Sequence, residues 1–172
     1  MLITITGTES TGKTTLALQL AEHFKTALVP DVSRAYLEAS GPHYTREDVL
    51  EIAREIIQQE DSMFGHENRL LISDNCLVNI KIWMEYYHWE LPEWFTRALY
   101  ERKSGLYLLC DIDLDWIKDE QRKNPHDRED LYHRFMNELA TLQVDYHIVT
   151  GKNEDRFVNA CSFIDAALLK HL

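Results

Sequence analysis

Leu2-Ile3-Thr4-Ile5-Thr6-Gly7-Thr8-Glu9-Ser10-Thr11-Gly12-Lys13-Thr14 decides how the rest of this chain is read. Leu2 to Thr6 is aliphatic or β-branched, which predicts a strand. From about Lys13 to Phe24, Leu16, Leu20 and Phe24 recur at every fourth position and share one face of a predicted helix. Between them Gly7 to Thr14 fulfils G-x-x-x-x-G-K-[ST], in the strand–turn–helix setting that this phosphate-binding loop requires. The glycines let the backbone curl so that successive N–H groups point inward, and the helix N-terminus adds its positive end. Lys13 is then placed to neutralise the outer phosphates and Thr14 to coordinate Mg²⁺. The expected ATP contacts are Gly7, Glu9, Ser10, Thr11, Gly12, Lys13, Thr14 and Thr15. An ordinary Gly-rich turn is the bland alternative.

Outward from that loop, short aliphatic runs alternate with segments of helical spacing, so the fold class is α/β. Further strands are predicted at Ala27–Val29, stopped by Pro30, at Leu70–Ser73, at Leu106–Cys110 and at Tyr146–Val149. Runs without alternation suit strands buried on both faces. Thr45 and Asp48 can form a capping box ahead of the stripe Val49, Ile52, Ala53, Ile56 and Ile57. Phe157, Cys161, Ile164 and Leu168 define a closing helix. No linker, repeat or low-complexity tract interrupts the sequence, so residues 1–172 are expected to form one domain.

Composition narrows the partners. Lys plus Arg number 18 against 29 Asp plus Glu, a formal net charge of −11 that repels a phosphate backbone, so no nucleic-acid partner is expected. No apolar run approaches the roughly 20 residues of a membrane helix, so no membrane partner is expected either. Cys76, Cys110 and Cys161 are odd in number and lack C-x-x-C spacing, which points to a reducing, cytoplasmic setting. The opening residues run straight into the first predicted strand, so no targeting peptide is expected.

The kind of phosphate chemistry follows from what surrounds the loop. No Asp has Gly three residues later, so the GTPase switch is missing. A hydrolytic motor usually sets a second carboxylate beside its strand-end aspartate, but Asp74 is followed by Asn75. Asp74 can hold Mg²⁺ opposite Thr14, or cap the following helix. Between Trp116 and Arg128 the negative trend breaks, with Lys118, Arg122, Lys123 and Arg128 close together. A lid at about 113–130 delivering Arg122 and Arg128 to a migrating phosphoryl group fits that pattern, as does a solvated surface loop. Asp31, at the end of the second predicted strand and three residues before Arg34, faces the crevice where such sheets bind ligands and can accept a proton from an attacking hydroxyl.

The chain resembles the nicotinamide riboside kinase domain of the NadR-like group of P-loop kinases over nearly its whole length. The resemblance rests on Gly7-x-x-Ser10-x-Gly12-Lys13-Thr14, Val29-Pro30-Asp31-x-x-Arg34-x-Tyr36, Ile72-Ser73-Asp74, Trp116-x-x-Asp119-x-x-Arg122 with Asn124-Pro125-His126-Asp127-Arg128, and Thr150-Gly151 ahead of Arg156. It implies a three-layer fold with a parallel five-stranded sheet in the order 2-3-1-4-5, a lid after the fourth strand, and ATP with Mg²⁺. The activity implied is transfer of the γ-phosphoryl group to a ribose hydroxyl of a pyridine nucleoside. Catalysis would fall to Lys13, Asp31, Arg122 and Arg128, metal binding to Thr14 and Asp74, further nucleotide contact to Arg156, and acceptor binding to Asp31, Arg34, Tyr36, Asp74 and Tyr87. The family commonly has Glu-Tyr at Asp31-Val32 and Asp-Thr-Asp at Asp74-Asn75-Cys76. Because the chain opens on the first kinase strand, the adenylyltransferase domain of bifunctional relatives is expected to be absent. The lost acid at Cys76 keeps a second reading open, a nucleotide-binding regulatory or interaction module that transfers nothing.

The acceptor is expected to be a neutral or cationic nucleoside rather than a nucleotide, because Asp74 to Glu93 contains no Arg. The same stretch holds Trp83, Tyr86, Tyr87 and Trp89. Most of these are expected in packing, since Ile80, Trp83 and Tyr87 share a helical face, with one or two left to stack on a flat base.

Overall fold

The computed structural model describes residues 1–41, 43–64, 70–117 and 127–170. In chain order its elements are β1 (Leu2–Thr6), α1 (Lys13–His23), β2 (Ala27–Val29), α2 (Ser33–Ser40), α3 (Arg46–Met63), β3 (Leu71–Ser73), α4 (Leu77–Tyr86), α5 (Glu93–Glu101), β4 (Leu106–Cys110), α6 (Arg128–Thr141), β5 (Tyr146–Val149) and α7 (Asn153–Leu169). The strands form one five-stranded sheet in the order β2-β3-β1-β4-β5. Every pairing is parallel, with Ile3 opposite Ile72, Leu28 opposite Ile72, Thr4 opposite Tyr107 and Leu108 opposite His147.

Side chains alternate across the sheet and sort the helices into two outer layers. Ile3, Ile5, Leu106 and Leu108 pack with Leu16 and Leu20 of α1 and with Ala160 and Ile164 of α7. Tyr107 and Leu109 point the other way, into a larger cluster built from Ile52 and Ile56 of α3, Ile80 and Met84 of α4, Phe95 of α5 and Phe135 and Leu139 of α6. Phe95 is fully buried, and side chains of that kind each contribute roughly 1.5–3 kcal/mol of transfer free energy. This is the three-layer P-loop kinase fold.

β1 carries Thr4 and Thr6 on the larger cluster's side, an alternation that in isolation suits a half-solvated strand. Both are fully buried because β1 is the centre of the sheet. Their hydroxyls are paired, Thr4 with the Ser104 hydroxyl at 2.5 Å and Thr6 as donor to Asn79 Oδ1 at 2.6 Å. That removes the cost of burying them.

The capping box at Thr45 and Asp48 opens α3 as expected. α2, α5 and α6 were not anticipated. α2 has no buried residue and so no legible apolar stripe. α6 begins at Arg128, inside the segment expected as a lid, so that segment's end is the first helical turn.

Candidate active site

The loop after β1 holds its shape through backbone conformations that ordinary side chains resist. Gly7 has φ 134° and Gly12 φ 74°. A Cβ on Gly7 would lie 3.1 Å from the Cys110 carbonyl oxygen, and one on Gly12 would lie 3.0 Å from Leu114 Cδ1. Ser10 also adopts positive φ, at 59°. Within the loop Thr11 Oγ1 donates to the Thr8 carbonyl at 2.8 Å and Lys13 Nζ donates to the same oxygen at 2.7 Å, which lays the ammonium across the cradle. Gly12 is the N-cap of α1 and brings no side-chain cap, so the first N–H groups of the helix are left for an anion.

Asp74 follows β3 and is buried, its backbone N–H donating to the Val29 carbonyl at 2.9 Å. Burial pushes its carboxyl up to about 6, opposed by a hydrogen bond from Thr14 and the charge of Lys13, while nearby Asp31 adds to the rise. Among the described residues its Oδ1 has no hydrogen-bond partner. An orphaned carboxylate oxygen beside a threonine hydroxyl fits Mg²⁺, which takes one or two protein oxygens and completes its shell with water and phosphate. Capping of α4 is not its role, since Cys76 is the N-cap of that helix.

From the loop a continuous cavity of about 310 Å³ extends over the ends of β2 and β3. Gly7 to Thr15 line one end, and Asp31, Ser33, Arg34, Tyr44, Asn75, Asn79, Trp83 and Tyr86 belong to the remainder, with Leu131 and Phe135 of α6. Asp31 Oδ1 accepts from the Ser33 N–H at 2.9 Å, the Ser33 hydroxyl at 2.5 Å and Asn75 Nδ2 at 2.8 Å. Val32 is the N-cap of α2 and brings no side-chain cap, so Asp31 meets the first residue of that helix from one position further out while it lines the cavity. The aromatic wall is braced at its edges. Tyr44 meets Trp83 edge-on, with ring centroids 5.0 Å apart. Tyr86 donates to Asp127 at 2.6 Å, a contact that pushes its hydroxyl up to about 12.

Arg128, at the start of α6, donates to the Leu114 carbonyl at 2.7 Å and to the Ser10 carbonyl at 3.1 Å, with its guanidinium 5.9 Å from the Trp116 ring. Ile117 N–H donates to Ser10 Oγ at 2.9 Å. Both ends of the expected lid therefore lean on the phosphate loop. Arg122 lies outside the described residues. Arg156 is buried and donates to the Gly151 carbonyl at 3.0 Å and the Asp111 carbonyl at 3.2 Å, besides pairing with Asp113. These bonds hold it beneath the loops after β4 and β5, away from the cavity lining.

Lys13, Thr14, Asp31 and Arg34 are thus brought to one cavity, with Asp74 beneath its phosphate end. Tyr36 and Tyr87 are not. Tyr36 donates to Asp48 at 3.2 Å and lines a separate shallow depression behind Asp31. Tyr87 stacks on Trp89 with centroids 4.9 Å apart and pairs with the Tyr44 hydroxyl at 2.7 Å, buttressing the wall from behind. Sequence reasoning overlooked Tyr44, Ser33, Asn75 and Asn79 as wall residues. Tyr44 lies next to the capping box of α3, where nothing marked it, and the two amides gave no signal beyond following Asp74.

The fold and this loop define a P-loop nucleotide-binding domain of the kinase type. A family model described as an AAA domain matches residues 2–156, and the chain belongs to that family. Among solved structures, a NadR protein in complex with NR superposes with a TM-score of 0.79 at 17% identity, over 96% of this chain and 50% of that one. A NadR protein in complex with NAD and AMP-PNP gives 0.76 at 16% identity, over 96% and 49%. The chain therefore spans about half the length of these two proteins. A thymidylate kinase from Ehrlichia chaffeensis gives 0.66 at 15% identity, over 96% of this chain and 97% of that one. No curated protein sequence matches the chain. Among the described residues no helix is long and apolar enough to cross a membrane.

Proposed function

We propose that residues 1–172 form a single kinase domain that uses ATP to phosphorylate a nucleoside hydroxyl, converting nicotinamide riboside to nicotinamide mononucleotide. The observation that carries this reading is the continuity of one cavity from the phosphate loop to Asp31, Arg34 and the wall of Tyr44, Trp83 and Tyr86. ATP phosphates lie on the loop N–H groups and Lys13. Thr14 and Asp74 would hold Mg²⁺, which would supply further positive charge to those phosphates. The acceptor hydroxyl gives its proton to Asp31 as its oxygen bonds to the γ-phosphorus, and the bond from that phosphorus to the β,γ-bridging oxygen breaks to release ADP. Arg128, and Arg122 from the lid at about 113–130, stabilise the charge on the migrating group.

Transfer is favoured over hydrolysis because the position after Asp74, where a water-activating acid would stand, is Asn75, whose amide is committed to Asp31 and to the Cys76 N–H. The substitution that suggested a module without transfer, Cys76, faces the core. Its thiol is buried, pushed up to about 11 by that burial, and lies 3.1 Å from Asn79 Oδ1, so the cavity wall does not depend on an acid there. A coupled assay of ADP release separates the readings. Release that depends on nicotinamide riboside is expected, and nucleotide binding indifferent to any nucleoside would select the module.

A further inference from the structure

We propose that Asn75 is the positioning residue of the reaction, holding one oxygen of Asp31 so that the other meets the acceptor hydroxyl. This rests on the kinase reading above. Three donors converge on Asp31 Oδ1, from the Ser33 N–H, the Ser33 hydroxyl and Asn75 Nδ2, at 2.9, 2.5 and 2.8 Å. Among the described residues none donates to Oδ2. A carboxylate held in this way has its rotation about the Cβ–Cγ bond fixed and presents a defined oxygen, with its remaining lone pairs, to the cavity that Asp31 lines.

Asn75 is itself held in one orientation. The Cys76 N–H donates to its Oδ1 at 2.8 Å, which turns the Nδ2 end toward Asp31 and settles which end of the amide is the donor. Its main chain is pinned as well, since the Ser73 hydroxyl donates to the Asn75 carbonyl at 2.9 Å. Ser33 belongs to the same helix start as Asp31, so Asn75 is the donor that ties the carboxylate to the other strand of the crevice.

The test is a double-mutant cycle on turnover with nicotinamide riboside, together with a contact readout that needs no activity. Asp31→Asn should lower kcat by about a hundredfold, the contribution of a positioned base. Asn75→Ala should lower kcat by about tenfold and leave the KM for ATP within about twofold, because it displaces the base without touching the nucleotide. The double variant should be no slower than Asp31→Asn, since Asn75 acts through Asp31. Should Asn75→Ala not fold, Asn75→Leu serves the same cycle, because it keeps the volume of the side chain and removes the donor without adding a charge beside Asp31. The Asn75 side-chain NH₂ resonance should move in Asp31→Asn while that of Asn79 stays in place. Losses that multiply to about a thousandfold would overturn the positioning alone and leave the kinase intact. An unmoved Asn75 resonance would do the same. A parent chain silent with every nucleoside would overturn the kinase reading, and this role with it.

Discussion

The two ends of the cavity are built on opposite principles. At the phosphate end a contiguous run, Gly7 to Thr15, supplies backbone N–H groups, a helix terminus and one ammonium. At the acceptor end the wall is made of side chains that meet across large sequence distances. Asn75 reaches Asp31 at 2.8 Å, Tyr87 reaches Tyr44 at 2.7 Å and Tyr86 reaches Asp127 at 2.6 Å. A phosphate is the same in every nucleotide, and an inward-turned backbone recognises it without choosing side chains. An acceptor differs from kinase to kinase, and only side chains can be changed to follow it. The short β3 serves both, since Asp74 goes to the phosphate end and Asn75 to the acceptor end.

That division predicts which substitutions separate binding from transfer. The largest effect is expected from Lys13→Ala, which should weaken ATP binding about a thousandfold, the scale of about 4 kcal/mol for removing one partner of a desolvated charge pair. Its thermal midpoint should stay near the parent's, because among the described residues the one hydrogen bond of the Lys13 side chain goes to the Thr8 carbonyl. Titration calorimetry alongside a melting curve checks both halves. Unchanged ATP affinity would dissolve the phosphate end as described.

Next in size is the footing the two ends share. Glu60 of α3 is buried beneath β3, with one oxygen 3.4 Å from the Ser73 hydroxyl oxygen and the other 3.8 Å from Arg102. Burial pushes its carboxyl up to about 7, from 4.5, against the pull of Arg102. A carboxyl whose folded value is raised binds more protons when folded, so its stabilising contribution is full below about 4.5 and is lost as pH rises through about 7. Asp74, raised to about 6, slopes the same way. Glu60→Gln should therefore raise stability at pH 8 by on the order of 3 kcal/mol and leave it nearly unchanged at pH 4. Urea denaturation at the two pH values measures this, and a variant that keeps the parent's full pH slope would place the burden on Asp74 alone.

How much of this was legible in the sequence follows the same division. The strand–turn–helix shape of the phosphate loop was legible, because its glycines and Lys13-Thr14 sit at fixed spacing. The sheet was legible because buried parallel strands are short aliphatic runs, and the capping box fixed the start of α3. Asp31 and Arg34 could be placed because a carboxylate at the end of a strand has few places to go. The aromatic wall was legible only as a surplus of rings on one stretch. Which rings face the cavity depends on α3 lying against α4, and that contact brings in Tyr44 and turns Tyr87 outward. The surroundings of Arg156 were not legible for a related reason: its partner Asp113 comes from a loop far away in sequence, and nothing local shows that the loops after β4 and β5 hold its guanidinium.

A smaller effect is expected where Arg128 meets the phosphate loop. Arg128 bridges the Leu114 and Ser10 carbonyls, so Arg128→Ala should lower turnover about tenfold and barely change nucleotide affinity, as expected of charge that matters most in the transition state. Steady-state kinetics with separate ATP binding measurements test it. Intact turnover would make Arg128 a strut between two loops and nothing more.

The smallest effect tests the acceptor end alone. Arg34 is the one arginine in the cavity lining among the described residues, so an acceptor that already carries a phosphate has little charge to meet it, whereas Trp83, Tyr44 and Tyr86 present ring faces and edges. A cationic pyridinium over such a wall gains about 0.5–2 kcal/mol, a preference of about 2- to 30-fold over a neutral base. Acceptor-dependent ADP formation at equal concentration should therefore rank nicotinamide riboside above uridine and both above AMP. Nicotinic acid riboside, which carries a carboxylate in place of the carboxamide and meets an acidic chain, should fall below nicotinamide riboside. Trp83→Leu keeps the site apolar but removes a π face, and it should narrow the gap between nicotinamide riboside and uridine without altering the KM for ATP. A uridine preference in the parent would leave the kinase standing and remove the cationic ring, whereas a clear preference for AMP would mean that Arg34, not the aromatic wall, selects the acceptor.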